Sequence, residues 1–286
     1  MKTLKTAFLL TALTLLLLFL GAVFGGRGGI TIALIFAIFM NGIAYFFSDK
    51  IALAAAGARP ITREQAPRLY AVMERLAGKA NLPMPTLYII PEAAPNAFAT
   101  GRNPHHASVA VTEGLMQLMD DEELEGVIAH ELSHVRNYDI LTSSIAATIA
   151  GAIGYIAYIG RWGMIFGGYG DSREEGRGGG SALFALLMLI LAPIAALLLQ
   201  LGISRTRESQ ADASGARMVG YPDGLIRALQ KLGAYNAKIP MNVPPATASL
   251  FIVAPLSPGQ LFSGLFSTHP PLAERIAALR NMTITR

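Results

Sequence analysis

The sequence predicts an α+β fold that is mostly helical, in which a small β-sheet and its helices are combined with about four transmembrane helices. Hydrophobic residues make up 52% of the 286 residues and charged residues only 15%, whereas soluble globular chains carry about 25% charged residues. Four long apolar stretches cover residues 7–24, 30–47, 140–159 and 182–201. Between and after them lie two polar segments with short strand and helix patterns.

Each apolar stretch is about long enough to cross a bilayer as an α-helix, which takes roughly 17–25 residues. Only residues 25–29, of sequence Gly-Gly-Arg-Gly-Gly, separate the first two stretches, which predicts a tight hairpin of two retained helices. The alternative for the first stretch is a cleaved signal peptide, since Lys2 and Lys5 precede it. The alternative for the third and fourth is a pair of buried helices in a soluble domain.

Basic residues predict the orientation of the chain in the membrane. Of the 23 lysines and arginines, only Arg27, Arg161, Arg173 and Arg177 fall in the two loops on one side. Cytoplasmic loops carry the excess of Lys and Arg, so we expect both termini and both polar segments in the cytoplasm. This topology also explains the net charge of +4, and the absence of a basic run argues against nucleic acid as a partner.

The first polar segment, residues 49–139, predicts a small sheet beside helices. A helical pattern covers residues 66–77, and strand patterns follow at 86–90, 97–100 and 108–112. The next helix is well defined, because Asp120 can cap its first turn with Glu123 as the capping-box partner.

That helix carries the motif His130-Glu131-Leu132-Ser133-His134. Residues four apart on a helix share a face, with Cβ atoms roughly 6 Å apart, so both imidazoles can bind one metal ion from the same side. Glu131 lies next to them and can face a water molecule beside that ion. H-E-x-x-H is the signature of zinc proteases and indicates a zincin-like catalytic domain with one Zn²⁺ per chain.

The motif leaves the metal site incomplete, because catalytic zinc usually takes three protein ligands. Cysteine is absent, so the third ligand must be His, Asp or Glu. A histidine six residues after His134 is excluded by Ile140. Asp139 is close in sequence, but near the end of the same helix it would have to fold back.

Glu208 is the better candidate for the third ligand. It lies on a polar helical turn after the fourth apolar stretch, four residues before Asp212, so the two carboxylates share a face. Glu208 can then bind zinc while Asp212 orients a ligating imidazole. The alternative is a solvated helix face that pairs with Arg205 and Arg207.

These motifs, in their order and spacing, resemble the HtpX family of integral-membrane zinc metalloproteases over nearly the whole chain. The matching segments are residues 96–104, the H-E-x-x-H motif, the Arg-Glu-x-x-x-Asp pattern that ends at Asp212, and residues 267–271 of sequence Ser-Thr-His-Pro-Pro. Ser209 stands where the family commonly has an aromatic residue. CAAX prenyl proteases share the metal motifs but carry more membrane spans, so prenyl-peptide processing is a lower-ranked alternative.

The resemblance implies a multi-pass protein of the bacterial inner membrane whose substrates are damaged or misfolded membrane proteins and other unfolded polypeptides. It implies a role in protein quality control and the stress response, without ATP, and no G-x-x-x-x-G-K-[ST] motif occurs. We expect an extended substrate to add as a strand beside residues 96–100, with Asn96, Ala97 and Phe98 as candidate contacts. His269 and Arg205 are candidates for stabilising the oxyanion. The rival hypothesis is a non-catalytic membrane scaffold or metal carrier, which would have no need of Glu131.

The expected organisation has four parts. They are a transmembrane hairpin (1–48), a cytoplasmic catalytic part with the H-E-x-x-H helix (49–139), a second hairpin with a Gly-rich outer loop (140–203), and a cytoplasmic part with the third zinc ligand (204–286).

Overall fold

The computed structural model describes residues 2–167, 205–236, 238, 241, 243, 245–253 and 270–284. The fourth apolar stretch, most of the Gly-rich loop and His269 lie outside the described residues. The helices are α1 (Lys2–Ala55), α2 (Pro67–Lys79), α3 (Glu113–Leu118), α4 (Asp121–Arg136), α5 (Asp139–Gly167), α6 (Arg205–Val219), α7 (Asp223–Asn236), α8 (Pro245–Ala248) and α9 (Leu272–Arg280). The strands are β1 (Arg59–Pro60), β2 (Thr86–Ile90), β3 (Ala97–Gly101) and β4 (Ala107–Thr112).

The four strands form a mixed sheet in the order β1-β2-β4-β3. β2 and β4 are parallel, and β3 pairs antiparallel with β4, with Ala97 opposite Val111 and Ala99 opposite Val109. The predicted sheet is confirmed, with β1 as an additional short strand. β3 is the last strand of the sheet, so one of its sides faces the helices and segments that build the candidate site.

α4 is the central helix of the polar part and contacts α2, α6, α7 and β3. Leu124, Ile128 and Leu132 on α4 are fully buried in the main hydrophobic cluster. α6 comes very close to α4, because a Cβ atom on Gly215 would lie only 2.9 Å from the backbone nitrogen of His130. A glycine at this position therefore lets the two helices that carry the predicted ligands touch.

α1 is a helical hairpin, as the sequence predicts. The chain reverses at Gly26 (φ 55°), where glycine adopts the left-handed conformation without a steric penalty. Its two arms, residues 2–25 and 27–55, run back along each other. The side-chain amide of Asn41 donates a hydrogen bond to the hydroxyl of Thr14 at 2.8 Å across 27 residues of sequence. α5 packs against this hairpin through a second apolar cluster.

One described helix, Gly25–Ala55, is long and apolar enough to cross a membrane, with a mean hydropathy of 2.2. Large apolar side chains on this arm are exposed, among them Ile32, Ile35 and Phe39. The apolar helices Thr6–Ala22 and Asp139–Tyr155 are shorter. Four transmembrane helices and the four-part organisation stay predictions.

Candidate metal centre

α4 is specified by its own first turn, which fixes where the motif lies. The Asp120 carboxylate accepts a hydrogen bond from the backbone N–H of Glu123, and the Glu123 carboxylate accepts one from the N–H of Asp120, both at 2.9 Å. This is the predicted capping box. His130 and Glu131 lie in the buried middle of the helix, and His134 is half-buried two residues before its end.

His130, His134 and Glu208 bring three potential ligand atoms together. The two Nε2 atoms are 3.2 Å apart. Glu208 Oε1 is 3.4 Å from His134 Nε2, and Oε2 is 3.7 Å from His130 Nε2. Ligands about 2.0–2.1 Å from a tetrahedral metal ion are separated by roughly 3.3 Å, so this triangle has the dimensions of a metal site.

The opposite nitrogen of each imidazole faces a carboxylate. His130 Nδ1 lies 2.8 Å from Asp212 Oδ1, and His134 Nδ1 lies 3.4 Å from Asp139 Oδ2. A proton held at Nδ1 by these carboxylates leaves a lone pair on each Nε2. Two such lone pairs and the Glu208 carboxylate repel one another unless a cation lies between them. The donor set therefore fits a divalent metal ion.

Electrostatics keep Asp212 ionised and His130 neutral. Burial would raise the pKa of Asp212, but the charge of Arg275 and hydrogen bonds from Arg275 and His130 lower it to about 2. Burial lowers the pKa of His130, against the opposing effect of Asp212. Asp212 can thus accept the Nδ1 proton of a neutral imidazole, the form of histidine that binds metal ions.

The pKa of His134 is shifted in the opposite direction, upward. Burial alone would lower its pKa, but the Glu208 carboxylate, the hydrogen bond to Asp139 and the charge of Glu131 raise it to about 9. Several carboxylates around one imidazole thus favour a positive charge in this place. Either a proton on His134 or a metal ion can supply that charge.

Glu131 is buried beside the three ligand atoms. Burial, reinforced by the charge of Glu208, raises its pKa to about 7, although His134 and the backbone N–H of Ala99 favour the carboxylate. A carboxylate with a pKa near neutrality can both accept and return a proton at physiological pH. Glu131 therefore has the properties of a general base.

The centre lies in a small cavity. Its lining includes Ala99 from β3, the ligand residues and Glu131, and three residues of the C-terminal part, Ser249, Leu250 and Ile252. The volume open to the centre of a water molecule is about 20 Å³, enough for about one water. The cavity can thus place water next to Glu131.

Arg275 is a residue of the candidate site that the sequence motifs do not predict. Its buried guanidinium donates to both carboxylate oxygens of Asp212, at 2.7 and 2.8 Å. The sequence does contain a pattern that could have indicated it. Leu272, Ile276 and Leu279 form the apolar stripe of α9, and Arg275 occupies a position within this stripe. A cation within an apolar stripe has to find a buried anion.

The contact between Asp139 and His134 is not predicted by the sequence. The sequence pattern places Asp139 near the end of the same helix as His134, where it would have to fold back. In the structure α4 ends at Arg136, and the chain turns at Tyr138, whose φ of 60° is unusual for a residue other than glycine. The turn brings Asp139 to Nδ1 of His134, on the side away from the ligand triangle.

Other predicted site residues lie apart from the triangle. Arg205 is exposed at the start of α6. The buried Asn96 side chain donates to the carbonyl of Val253, and Phe98 packs edge-on against Phe251. The Ala97 carbonyl accepts a hydrogen bond from Ile252. In this structure the chain itself therefore contacts the three predicted substrate-binding residues, Asn96 just before β3 and Ala97 and Phe98 within it.

Comparisons with known proteins agree with this site. The sequence profile of peptidase family M48 matches residues 63–283. A protein named "Protease HtpX homolog" from Desulfatibacillum aliphaticivorans is 56% identical over 275 residues, which cover 96% of this chain and 88% of that protein. One of the same name from Aquifex aeolicus is 50% identical over 265 residues, covering 92% and 87%.

The crystal structure of S. mikatae Ste24p has a similar fold, with a TM-score of 0.53 and 22% sequence identity. The alignment covers 97% of this chain but 64% of the Ste24p chain, so the present chain spans less than two thirds of that protein. Extensive identity to HtpX homologues and the M48 match over most of the chain lead to one conclusion. The chain belongs to peptidase family M48, as a membrane metalloprotease of the HtpX type.

Proposed function

We propose that this protein is a zinc-dependent endopeptidase of the bacterial inner membrane that cleaves misfolded or damaged membrane proteins at the cytoplasmic face, without ATP. The observation that carries the proposal is the triangle of His130, His134 and Glu208 with Glu131 beside it. A binding site alone would have no use for a buried carboxylate that lines the same cavity as the three ligand residues.

His130, His134 and Glu208 hold the zinc ion in this proposal. When bound, the ion supplies a Lewis acid that polarises the scissile carbonyl and makes a water molecule more acidic. Asp212 and Asp139 keep the Nδ1 protons of the two imidazoles in place, so that both Nε2 atoms stay available.

Glu131 moves the proton. Its carboxylate takes a proton from the attacking water in the cavity and later gives it to the nitrogen of the leaving amine. Its buried position in the same cavity as the three ligand residues suits both steps. His269 and Arg205 remain the candidates for a second contact to the oxyanion.

The substrate binds as an extended strand along β3. Because the chain itself already engages the carbonyl of Ala97, the peptide pairs from Ala99 onward, next to Glu131. Main-chain hydrogen bonds make few demands on side chains, which gives the broad sequence tolerance that removal of damaged proteins requires.

Two cation–π contacts support a membrane boundary near the end of the apolar arm of α1. The Lys50 ammonium lies 5.6 Å from the ring centre of Phe47, and the Arg102 guanidinium lies 5.6 Å from that of Phe46. Aromatic residues with adjacent cations are typical of the membrane–water interface. Arg102 follows β3, so this boundary brings the sheet close to the lipid surface.

A cleavage assay on the full-length protein in detergent tests the proposal. Casein digestion should stop with a chelator and return with zinc, and metal analysis should find one zinc per chain. Glu131→Gln should keep the zinc and lose roughly 10²- to 10⁴-fold in rate.

Glu125→Gln provides the matched control, since Glu125 is also buried on α4 but pairs with Arg75 and Tyr221. If Glu131→Gln and this control cleave casein at the same rate, Glu131 is not the general base. Cleavage that a chelator leaves unchanged would overturn the proposed function.

A further inference from the structure

Residues 249–253 lie along the outer side of β3, just after α8. The Ile252 N–H donates to the Ala97 carbonyl at 2.9 Å. The Asn96 side-chain amide donates to the Val253 carbonyl at 2.8 Å, and its oxygen accepts from the Val253 N–H at 3.4 Å. Through Ile252 the segment therefore makes one main-chain contact of the kind that a peptide substrate would make on a sheet edge, and its other two contacts are with the Asn96 side chain.

The register of β3 shows where the segment stops. Successive residues of a strand direct their main-chain groups alternately to its two sides. The Asn96 carbonyl accepts from Thr112 at the β4 side, at 3.0 Å, whereas the Ala97 carbonyl faces Ile252. The next residue that faces outward is Ala99, which lines the cavity with Glu131.

The segment is firmly anchored. Phe251 is fully buried, and its ring packs edge-on against Phe98 with 4.9 Å between the ring centres. Both rings belong to an apolar cluster that also contains Ala52 and Leu53 of α1. Displacing the segment would expose this cluster, so its contacts are those of a fixed structural segment rather than of a mobile cover.

Arg275 connects the segment to the metal centre. Its Nη1 donates to the Ile252 carbonyl at 2.7 Å, while Nε and Nη2 donate to the two oxygens of Asp212. Asp212 in turn lies 2.8 Å from His130 Nδ1. One buried guanidinium thus fixes Ile252 from its carbonyl side and, through Asp212, the orientation of His130.

We propose that residues 249–253, a turn followed by a bend, are a fixed segment that ends the substrate-binding edge at Ala99, and that Arg275 is the positioning residue that holds this segment and His130 in one arrangement. A bound peptide meets the side chains of Leu250 and Ile252 at this end of the cavity. The peptide part of the proposal rests on the proposed peptidase function, whereas the link from Arg275 to the metal centre can be tested without cleavage.

Hydrogen exchange with mass spectrometry tests whether the segment 249–253 is fixed. The full-length Glu131→Gln variant, loaded with zinc, is measured alone and with excess casein. The peptide that contains Ile252 should exchange slowly in both conditions, and casein should slow exchange further at residues 99–101. Faster exchange around Ile252 on adding casein would show a displaceable cover and overturn the proposal.

Metal binding tests the role of Arg275. Arg275→Gln should weaken zinc binding about 10- to 100-fold in a chelator competition, as is usual when support behind a metal ligand is lost. It should also change the visible absorption of the cobalt-substituted protein and speed exchange at Ile252. Asn96→Ala should speed the exchange at Ile252 and leave zinc affinity and the cobalt spectrum unchanged. Within this network Asn96 contacts Val253 of the segment and neither Arg275 nor Asp212.

Arg63→Gln controls for the loss of an arginine, because Arg63 forms an exposed ion pair with Glu74. A zinc affinity and cobalt spectrum of Arg275→Gln equal to those of this control would overturn the positioning role. If Arg275→Gln fails to fold, the zinc affinity of Arg275→Lys is measured instead. Arg275→Lys should retain only part of the zinc affinity, through one ion pair with Asp212. A zinc affinity equal to that of Arg63→Gln would again overturn the role. A failure of the unmutated chain to cleave casein would overturn the proposed function instead, and the zinc and exchange measurements would still apply.

Discussion

Two histidines from one helix turn have different protonation behaviour because their neighbours differ. His130 is fully buried, and its Nδ1 faces Asp212, whose charge Arg275 already balances. His134 is half-buried and faces Glu208, Asp139 and Glu131. The net negative surroundings raise the pKa of His134 to about 9, while desolvation lowers that of His130. At pH 7 the metal-free centre therefore carries one proton on His134 that a metal ion must replace.

This proton predicts how metal affinity depends on pH. Since a ligating imidazole must be neutral, the apparent zinc affinity should rise about tenfold per pH unit from pH 7 to about 9 and then level off. Chelator competition at each pH measures it. Asp139→Asn removes one of the groups that raise the pKa of His134, so its curve should level off at lower pH. An affinity that is constant over this range would contradict the assignment.

The same pKa shift has a consequence for folding. A group with a folded-state pKa above its unfolded value of 6.5 adds stability that is complete below pH 6.5 and lost as the pH rises through about 9. Bound zinc replaces the proton, so the loss should be confined to the metal-free protein.

At the scale of elements, the approach of α6 to α4 sets the distance from Glu208 to the histidines. Gly215 lies seven residues, about two turns, after Glu208 and therefore on the same face of α6. Its Cα faces the backbone of α4 at Ala129 and His130. An added methyl group would meet backbone atoms, which cannot rotate away as a flexible side chain can.

Gly215→Ala should therefore move α6 outward and weaken zinc binding, with a parallel loss of casein cleavage. We expect destabilisation of about 1–3 kcal/mol, as is usual for overpacking. Gly78→Ala is the matched control, because a Cβ atom there has no neighbour within 4 Å and alanine favours the helix. Thermal unfolding and zinc competition measure both variants. Unchanged zinc affinity in Gly215→Ala would show that the interhelical distance does not control the site.

At the scale of the whole molecule, the α1 hairpin and the part of the chain that carries the candidate site share packing. Ala52 and Leu53 near the end of α1 belong to the cluster beneath β3, and the hydroxyl of Ser144 on α5 hydrogen-bonds that of Thr100 at 2.6 Å. The edge strand is thus supported by both helices that lead to the apolar region.

The absence of cysteine makes the proposed topology directly testable. Arg27→Cys and Lys79→Cys place single thiols at the hairpin turn and in the catalytic part, at positions that need no buried contact. In intact cells a membrane-impermeant maleimide should label the Arg27→Cys variant, and it should label the Lys79→Cys variant only after the membrane is permeabilised. The reverse labelling pattern would place the catalytic part outside the cytoplasm.

The sequence by itself determined several of the elements that build the candidate site. Periodicity, capping residues and turn residues act between neighbours in the chain, so they specified the hairpin at Gly26, the sheet and the capped helix that presents His130 and His134. Spacing also made Glu208 and Asp212 a plausible pair, because i and i+4 on a helix share a face wherever the helix lies.

Only the tertiary structure decided which groups meet across long sequence separations. The contacts of Arg275 with Asp212, of residues 249–253 with β3, and of Asp139 with His134 depend on the angles at which separate elements pack, and no local pattern encodes those angles. Burial is likewise a property of the assembled core, so the raised pKa of Glu131 could not be inferred from its place in the motif.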